Sequence, residues 1–178
     1  MGLVTSVGNG SASISAGVDD VSSEAAAIVS QVSASVLLSD SVLSFASLGD
    51  TVRLTAEVQD SAGVVIGGAE IVWTSSDTTV ATVSEGLVTA VANGTATVSA
   101  TSDGAMRSAA ATISQVAASI ELSQTAYEFA QLDDSLTVTA NVFDARGNRI
   151  DDAVIQWETS DGSVVSVSDG LVVATGVG

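Results

Sequence analysis

The side chains here that can do chemistry are almost all carboxylates. Asp and Glu number 21 against four Arg, with no His, Cys or Lys, for a formal net charge of −17. Without His, Cys or Lys the usual nucleophile–base pairs and transition-metal centres are excluded. A pair of carboxylates can hydrolyse a glycoside, but neighbours such as Asp133-Asp134 and Asp151-Asp152 point to opposite faces if they lie on strands. No aromatic platform repeats beside them, so no enzyme is expected. Hard cations remain, since they take oxygen ligands from carboxylates and loop carbonyls. Asp60, Asp77, Asp144, Asp161, Asp151 and Asp152 fall in expected turns and are the candidate Ca2+ ligands; Asp19, Asp20 and Asp103 fall near a domain end. None follows an EF-hand or a nonapeptide calcium repeat, and turn formation and solubility explain the same residues. No other cofactor is implied.

The elements that position these residues follow from a repeat. Gly2, Gly86 and Gly170 each open a Gly-Leu-Val segment, at successive offsets of 84. The same offset joins Phe45 to Phe129, Leu48 to Leu132, Asp60 to Asp144, Gly63 to Gly147, Trp73 to Trp157 and Asp77 to Asp161. Residues 31–94 align with 115–178 without a gap, with 29 of 64 pairs identical. So long a period, with Gly and aromatic landmarks inside it, marks tandem domains rather than a solenoid of short repeats.

Composition limits the architecture. The 178 residues are 46% hydrophobic but only 3% aromatic, so the cores must be built from Val, Ile, Leu and Ala. No apolar run approaches the ~20 residues of a membrane span, and the acidic charge repels nucleic acid and anionic membrane. Lacking Cys, the chain has no disulfide staple; lacking Lys, it has no Lys–Asn isopeptide crosslink. No signal peptide is visible at Met1 and the chain opens in mid-repeat, as expected of a piece of something longer.

Alternation of apolar and polar residues predicts seven or eight short strands per repeat, with no helix. Gly2–Val7 and Ser11–Ala16 read as strands joined at Asn9-Gly10, as do Gly86–Val91 and Thr95–Ala100 at Asn93-Gly94, because Asn-Gly favours type I′ hairpin turns. That turn also accounts for the N-glycosylation sequons Asn9-Gly10-Ser11 and Asn93-Gly94-Thr95. Thr51–Gln59 reads as one strand with Val52, Leu54, Ala56 and Val58 inward, and Leu136, Val138, Ala140 and Val142 are their counterparts. Gly63 and Gly147 follow as left-handed turn positions. Ala69, Ile71 and Trp73 form an expected central strand, with Trp73 plugging the space between two Val-rich sheets. After Gln31 and again after Gln115 the alternation flips, with no Gly- or Ser-rich linker, so domain boundaries are expected there with little freedom to bend.

The stretch from Trp73 to Ala100, WTSSDTTVATVSEGLVTAVANGTATVSA, preceded by an Asp-x-x-Gly turn, resembles the bacterial immunoglobulin-like domain, group 2. Trp73, Ser76, Asp77, Val80, Val83, Gly86 and Gly94 carry the resemblance, which Trp157 to Gly170 repeats. Family members often have a proline near the first strand, where this chain has Ser39-Asp40 and Ser123-Gln124. The resemblance implies an all-β fold of tandem Ig-like β-sandwich domains. It also implies a bacterial cell-surface or extracellular setting, since such domains occur in tandem in intimin- and invasin-like adhesins, other surface proteins and some phage tail proteins.

In this frame residues 1–31 are the last strands of one repeat, 32–115 a whole repeat and 116–178 a repeat lacking its last strands. A non-catalytic stalk or fibre segment of an adhesin-like protein is expected, with neighbouring repeats as its partners. The alternative is a recognition module for a protein, a glycan, a phage structure or another copy of itself. In a straight rod the two partial repeats lie roughly 40 Å apart by strand length, so head-to-tail strand complementation between molecules is the form that self-association would take. Residues that break the repeat mark a candidate contact patch: Phe143 replaces Gln59, and Arg146 and Arg149 replace Ala62 and Val65.

Overall fold

The computed structural model describes residues 2–177, and every regular element among them is a strand. The all-β expectation is borne out. No helix of the described residues is long and apolar enough to cross a membrane.

Strands β1 (Gly10–Val18) and β2 (Val21–Val29) form an antiparallel hairpin, paired from Gly10↔Val29 to Val18↔Val21. Residues 32–115 hold β3 (Ser35–Leu38), β4 (Val42–Phe45), β5 (Thr51–Arg53), β6 (Ala56–Gln59), β7 (Val72–Ser75), β8 (Ala81–Ser84), β9 (Leu87–Ala90), β10 (Gly94–Ser102) and β11 (Ala105–Ile113). A four-stranded sheet in the order β4-β11-β10-β7 faces a three-stranded sheet β5-β9-β8, while β3 pairs with β6. Leu43, Phe45, Val98, Ala111 and Ile113 of the first sheet pack against Ala81, Val88 and Ala90 of the second, with Leu54 between them. Val36, Val58, Ile66 and Ala100 form a second cluster, and the Trp73 ring packs on both. The ring is half-buried rather than enclosed, and β7 is an edge strand of its sheet, not a central one.

Three sequence expectations are corrected. Thr51–Gln59 is two strands: β5 joins β9 in one sheet and β6 joins β3 in another, with Leu54 N–H donating to Gly86 O at the crossing. The alternation survives because Leu54 and Val58 are both buried. Asn93-Gly94 is not a hairpin turn, because β9 pairs with β5 and β8 while β10 pairs with β11 and β7. The Asn-Gly pair instead carries the chain from one sheet to the other. Gly2–Val7 is not a strand, and the strand beginning at Gly10 turns back at Asp19, whose φ is +50°.

Residues 116–177 repeat part of this plan: β12 (Ser119–Leu122) pairs with β14 (Ala140–Phe143), and β13 (Ser135–Thr137) and β15 (Val165–Ser168) flank β16 (Leu171–Ala174). The counterparts of β4 and β7, residues 126–129 and 156–159, form no strands there. Gly178, the counterpart of Gly94 and Gly10, and Met1 lie outside the described residues.

The landmarks shared by the repeats have local physical causes. Gly86 sits at φ +79°, and a Cβ there would meet Leu54 O at 2.3 Å and the Trp73 ring at 3.2 Å. Gly170 repeats the arrangement against Val138 O and Trp157. Ser76 and Thr97 are laced together, with Ser76 N–H donating to Thr97 O and Thr97 N–H to Ser76 Oγ.

Candidate functional site

The chemistry-bearing residues converge where one repeat meets the next. Asp144 follows β14 and opens a turn whose left-handed residue is Gly147, φ +80°. Its Oδ1 accepts the backbone N–H groups of Arg146 and Asn148, both at 2.9 Å, which closes the turn on the carboxylate. Its Oδ2 faces the preceding repeat and accepts the Leu48 N–H at 3.0 Å and Gln115 Nε2 at 3.1 Å. Asn148 Nδ2 donates to Leu48 O at 2.9 Å, so both backbone groups of Leu48 are held by this one turn. Arg146 Nε pairs with Asp50 at 2.6 Å, and both side chains remain partly exposed to solvent.

Gln115 completes the joint. Its backbone N–H donates to Asn93 Oδ1 at 2.9 Å, and Asn93 Nδ2 donates back to Gln115 Oε1 at 3.1 Å. Val116 N–H donates to Ala46 O, so the chain stays tied to the preceding repeat as it leaves it.

The previous joint uses the same parts. Asp60 Oδ1 accepts the N–H groups of Ala62 and Val64, Oδ2 accepts Gln31 Nε2 at 2.8 Å, and Gln31 N–H donates to Asn9 Oδ1 at 2.6 Å. Asp60 is half-buried and Asp144 is 2% exposed, because at the second joint the Leu48 loop covers the carboxylate.

Burial pushes the Asp144 carboxyl up, but hydrogen bonds from Asn148 N–H, Gln115, Leu48 N–H and the Asn148 side chain outweigh it and hold the carboxyl well below the ordinary range. Asp60 is lowered chiefly by its bond from Gln31, Asp77 by Thr79 and Asp161 by Ser163. Each of these four carboxylates closes its own turn: Asp77 accepts from the N–H and hydroxyl of Thr79, and Asp161 from those of Ser163. Asp151 pairs with Arg149 at 3.0 Å, and Asp152 is exposed beside it. Among the described residues no three carboxylates come together as a metal cluster.

Of the repeat-breaking residues, Arg146 and Asn148 reach the preceding repeat with their side chains, whereas Phe143 is half-buried and bridges to Arg149, whose carbonyl accepts Gln115 Nε2 at 3.3 Å and whose side chain pairs with Asp151. Sequence reasoning marked Gln31 and Gln115 as boundaries but missed Asn9 and Asn93 as their partners and Leu48 as the partner of Asp144 and Asn148. The signal for the asparagines was present, since each lies 22 residues before its glutamine. Leu48 contributes only backbone atoms and left no signal.

Among solved structures, the chain is similar to surface layer protein SbsC, domains 4–9, at 19% identity and a TM-score of 0.44, over 94% of this chain and 31% of that one. It is also similar to S-layer protein SbsC domains 5–6 at 19% identity and 0.44, over 83% of this chain and 86% of that one. The chain spans about a third of the length of the first of these. No curated protein sequence matches. The resemblance read from the Trp73–Ala100 stretch is borne out: residues 41–113 match the family model of the bacterial Ig-like domain (group 2).

Proposed function

We propose that this chain is a non-catalytic spacer segment of a bacterial cell-surface or secreted protein, in which Ig-like repeats bounded at Gln31 and Gln115 are stacked with fixed orientation as a stalk. The observation that carries the reading is the Gln–Asp joint, built twice from the same residue types 84 positions apart. A joint that binds the backbone N–H and C=O of Leu48 restrains rotation between repeats, which a flexible linker does not. Load along the chain is then borne by sheet hydrogen bonds within each repeat and by this polar contact between repeats. The match of residues 41–113 to a family found in tandem in surface proteins supports the setting.

The test is a distance distribution between spin labels on Ser84→Cys and Ser168→Cys, equivalent exposed positions in successive repeats. A single narrow distance in the parent and a broadened one in Asp144→Ala are expected. A broad distribution in the parent overturns the reading.

A further inference from the structure

Asn93 and Gly94 stand next to one another in the joint, and this dipeptide carries a reaction of its own. The Gly94 nitrogen can attack Asn93 Cγ: the N–Cγ bond forms, the Cγ–Nδ2 bond breaks, and ammonia leaves with the Gly94 proton. Water then opens the succinimide at either carbonyl and leaves aspartate or isoaspartate. Glycine puts no side chain in the way of ring closure. The fold requires glycine at this place, because φ is +143° and an added Cβ would meet Val80 Cγ2 at 3.2 Å.

Gln115 holds both ends of the Asn93 amide. Its N–H donates to Asn93 Oδ1 at 2.9 Å, and its Oε1 accepts from Asn93 Nδ2 at 3.1 Å. Gly94 is fixed in turn at the start of β10, paired opposite Ile113. Ring closure swings Asn93 Cγ onto the Gly94 nitrogen, which breaks the clasp. Asn93 is exposed, so the water that opens the ring has access.

The direction of the hydrogen bonds gives the reaction a consequence. Asn93 Nδ2 donates to Gln115 Oε1, and Gln115 Nε2 donates onward to Asp144 Oδ2 at 3.1 Å and to Arg149 O at 3.3 Å. A carboxylate in place of the Asn93 amide has no donor. Gln115 then stands between two carboxylates with one donating end and one accepting end, and whichever way it turns, its Oε1 faces one of them. Turning toward the new carboxylate takes the Nε2 bond from Asp144, which is only 2% exposed.

We propose that Asn93 is a site of spontaneous deamidation, latched by Gln115 while the joint is closed, and that its conversion uncouples the two repeats irreversibly. A closed joint ages slowly; one that opens by local fluctuation or under load releases the dipeptide and then lacks the donor needed to close again. The joint at Gln31 holds the same dipeptide in the same way, with Gln31 N–H on Asn9 Oδ1 at 2.6 Å and Gly10 at φ +142°. The uncoupling rests on the fixed orientation proposed above, whereas the latch rests on the Asn93 and Gln115 geometry alone.

The experiment follows the whole 178-residue chain at mildly alkaline pH by tryptic peptide mass. Cleavage at Arg53 and Arg107 gives a 54–107 fragment whose sole asparagine is Asn93, and the 1–53 fragment reports Asn9 as an internal control. Conversion of Asn93 is expected to be at least about tenfold slower in the folded parent than in the same chain in urea. Gln115→Ala is expected to speed Asn93 several-fold and leave Asn9 at its parental rate. A rise at both sites marks unfolding of that variant, and Asp144→Ala, which frees Gln115 from the other side, then decides with the same expected rise at Asn93. The distance between labels at Ser84→Cys and Ser168→Cys is expected to broaden in Asn93→Asp. Equal rates at Asn93 in the folded parent and in urea, or a rate that neither Gln115→Ala nor Asp144→Ala raises, overturns the latch. A distance as narrow in Asn93→Asp as in the parent overturns the uncoupling. A parent distance that is already broad overturns the fixed orientation and the uncoupling with it, while the latch is decided by the rates.

Discussion

Asp144 Oδ2 accepts the backbone N–H of Leu48, 96 residues earlier, at 3.0 Å. Asn148, set by the same turn, takes the Leu48 carbonyl. The joint is therefore made to backbone on the Leu48 side, and on the other side to two side chains that the Asp144 turn holds in place.

Removing the carboxylate is expected to loosen the joint and leave each repeat folded. In Asp144→Ala, tryptophan fluorescence stays native while trypsin cuts faster at Arg146 and Arg149. Arg146→Ala alone is expected to do little, because its ion pair with Asp50 is partly exposed and such pairs contribute about 0.2–1 kcal/mol. Limited trypsin proteolysis of both variants beside the parent, scored at Arg149 because Arg146→Ala removes its own site, checks the contrast.

The joint has a pH dependence of defined sign. The Asp144 carboxyl is held below its ordinary value of 3.8. A depressed carboxylate contributes stability that is fully present above the unfolded value and is lost as pH falls through the folded one. The joint is thus expected to hold from neutral pH down to the ordinary carboxylate value and to weaken progressively below it. The width of the Ser84–Ser168 label distance, followed from neutral pH downward, reports this; broadening already near pH 6 contradicts it.

Two glycines separate backbone strain from steric conflict. Gly63 at φ +76° has open space where a Cβ would go, so Gly63→Ala is expected to cost about 1–2 kcal/mol from the left-handed backbone alone. Gly86→Ala adds a clash with Leu54 O and the Trp73 ring and is expected to cost more, at least about 3 kcal/mol. Urea unfolding of both variants gives the difference.

Trp73 bridges the two core clusters of its repeat, and Trp73→Ala is expected to cost about 3 kcal/mol, at the lower end for an aromatic because the ring is only half-buried. Trp157→Ala is expected to cost less, because that ring lines an open cleft. Urea unfolding of each variant followed by far-ultraviolet circular dichroism checks the order.

The sequence by itself determined the repeat, the all-β class and the inward rows such as Val52, Leu54, Ala56 and Val58. These are written in period-two alternation and in an 84-residue offset, and both are local or self-similar properties of a string. Tertiary structure alone decided which sheet each strand joins. Thr51–Gln59 alternates without a break, yet it divides after Leu54, because residues up to Leu54 bond to the β9 side and those from Thr55 onward to the β3 side. Asn93-Gly94 carries the residues of a hairpin turn, yet β9 and β10 part, because β10 finds its partners in β11 and β7. The joint is the same kind of decision. Asp144 reads as a turn former in any alignment, and its hold on Leu48 arises only when two folded repeats bring residues 96 apart within hydrogen-bond reach.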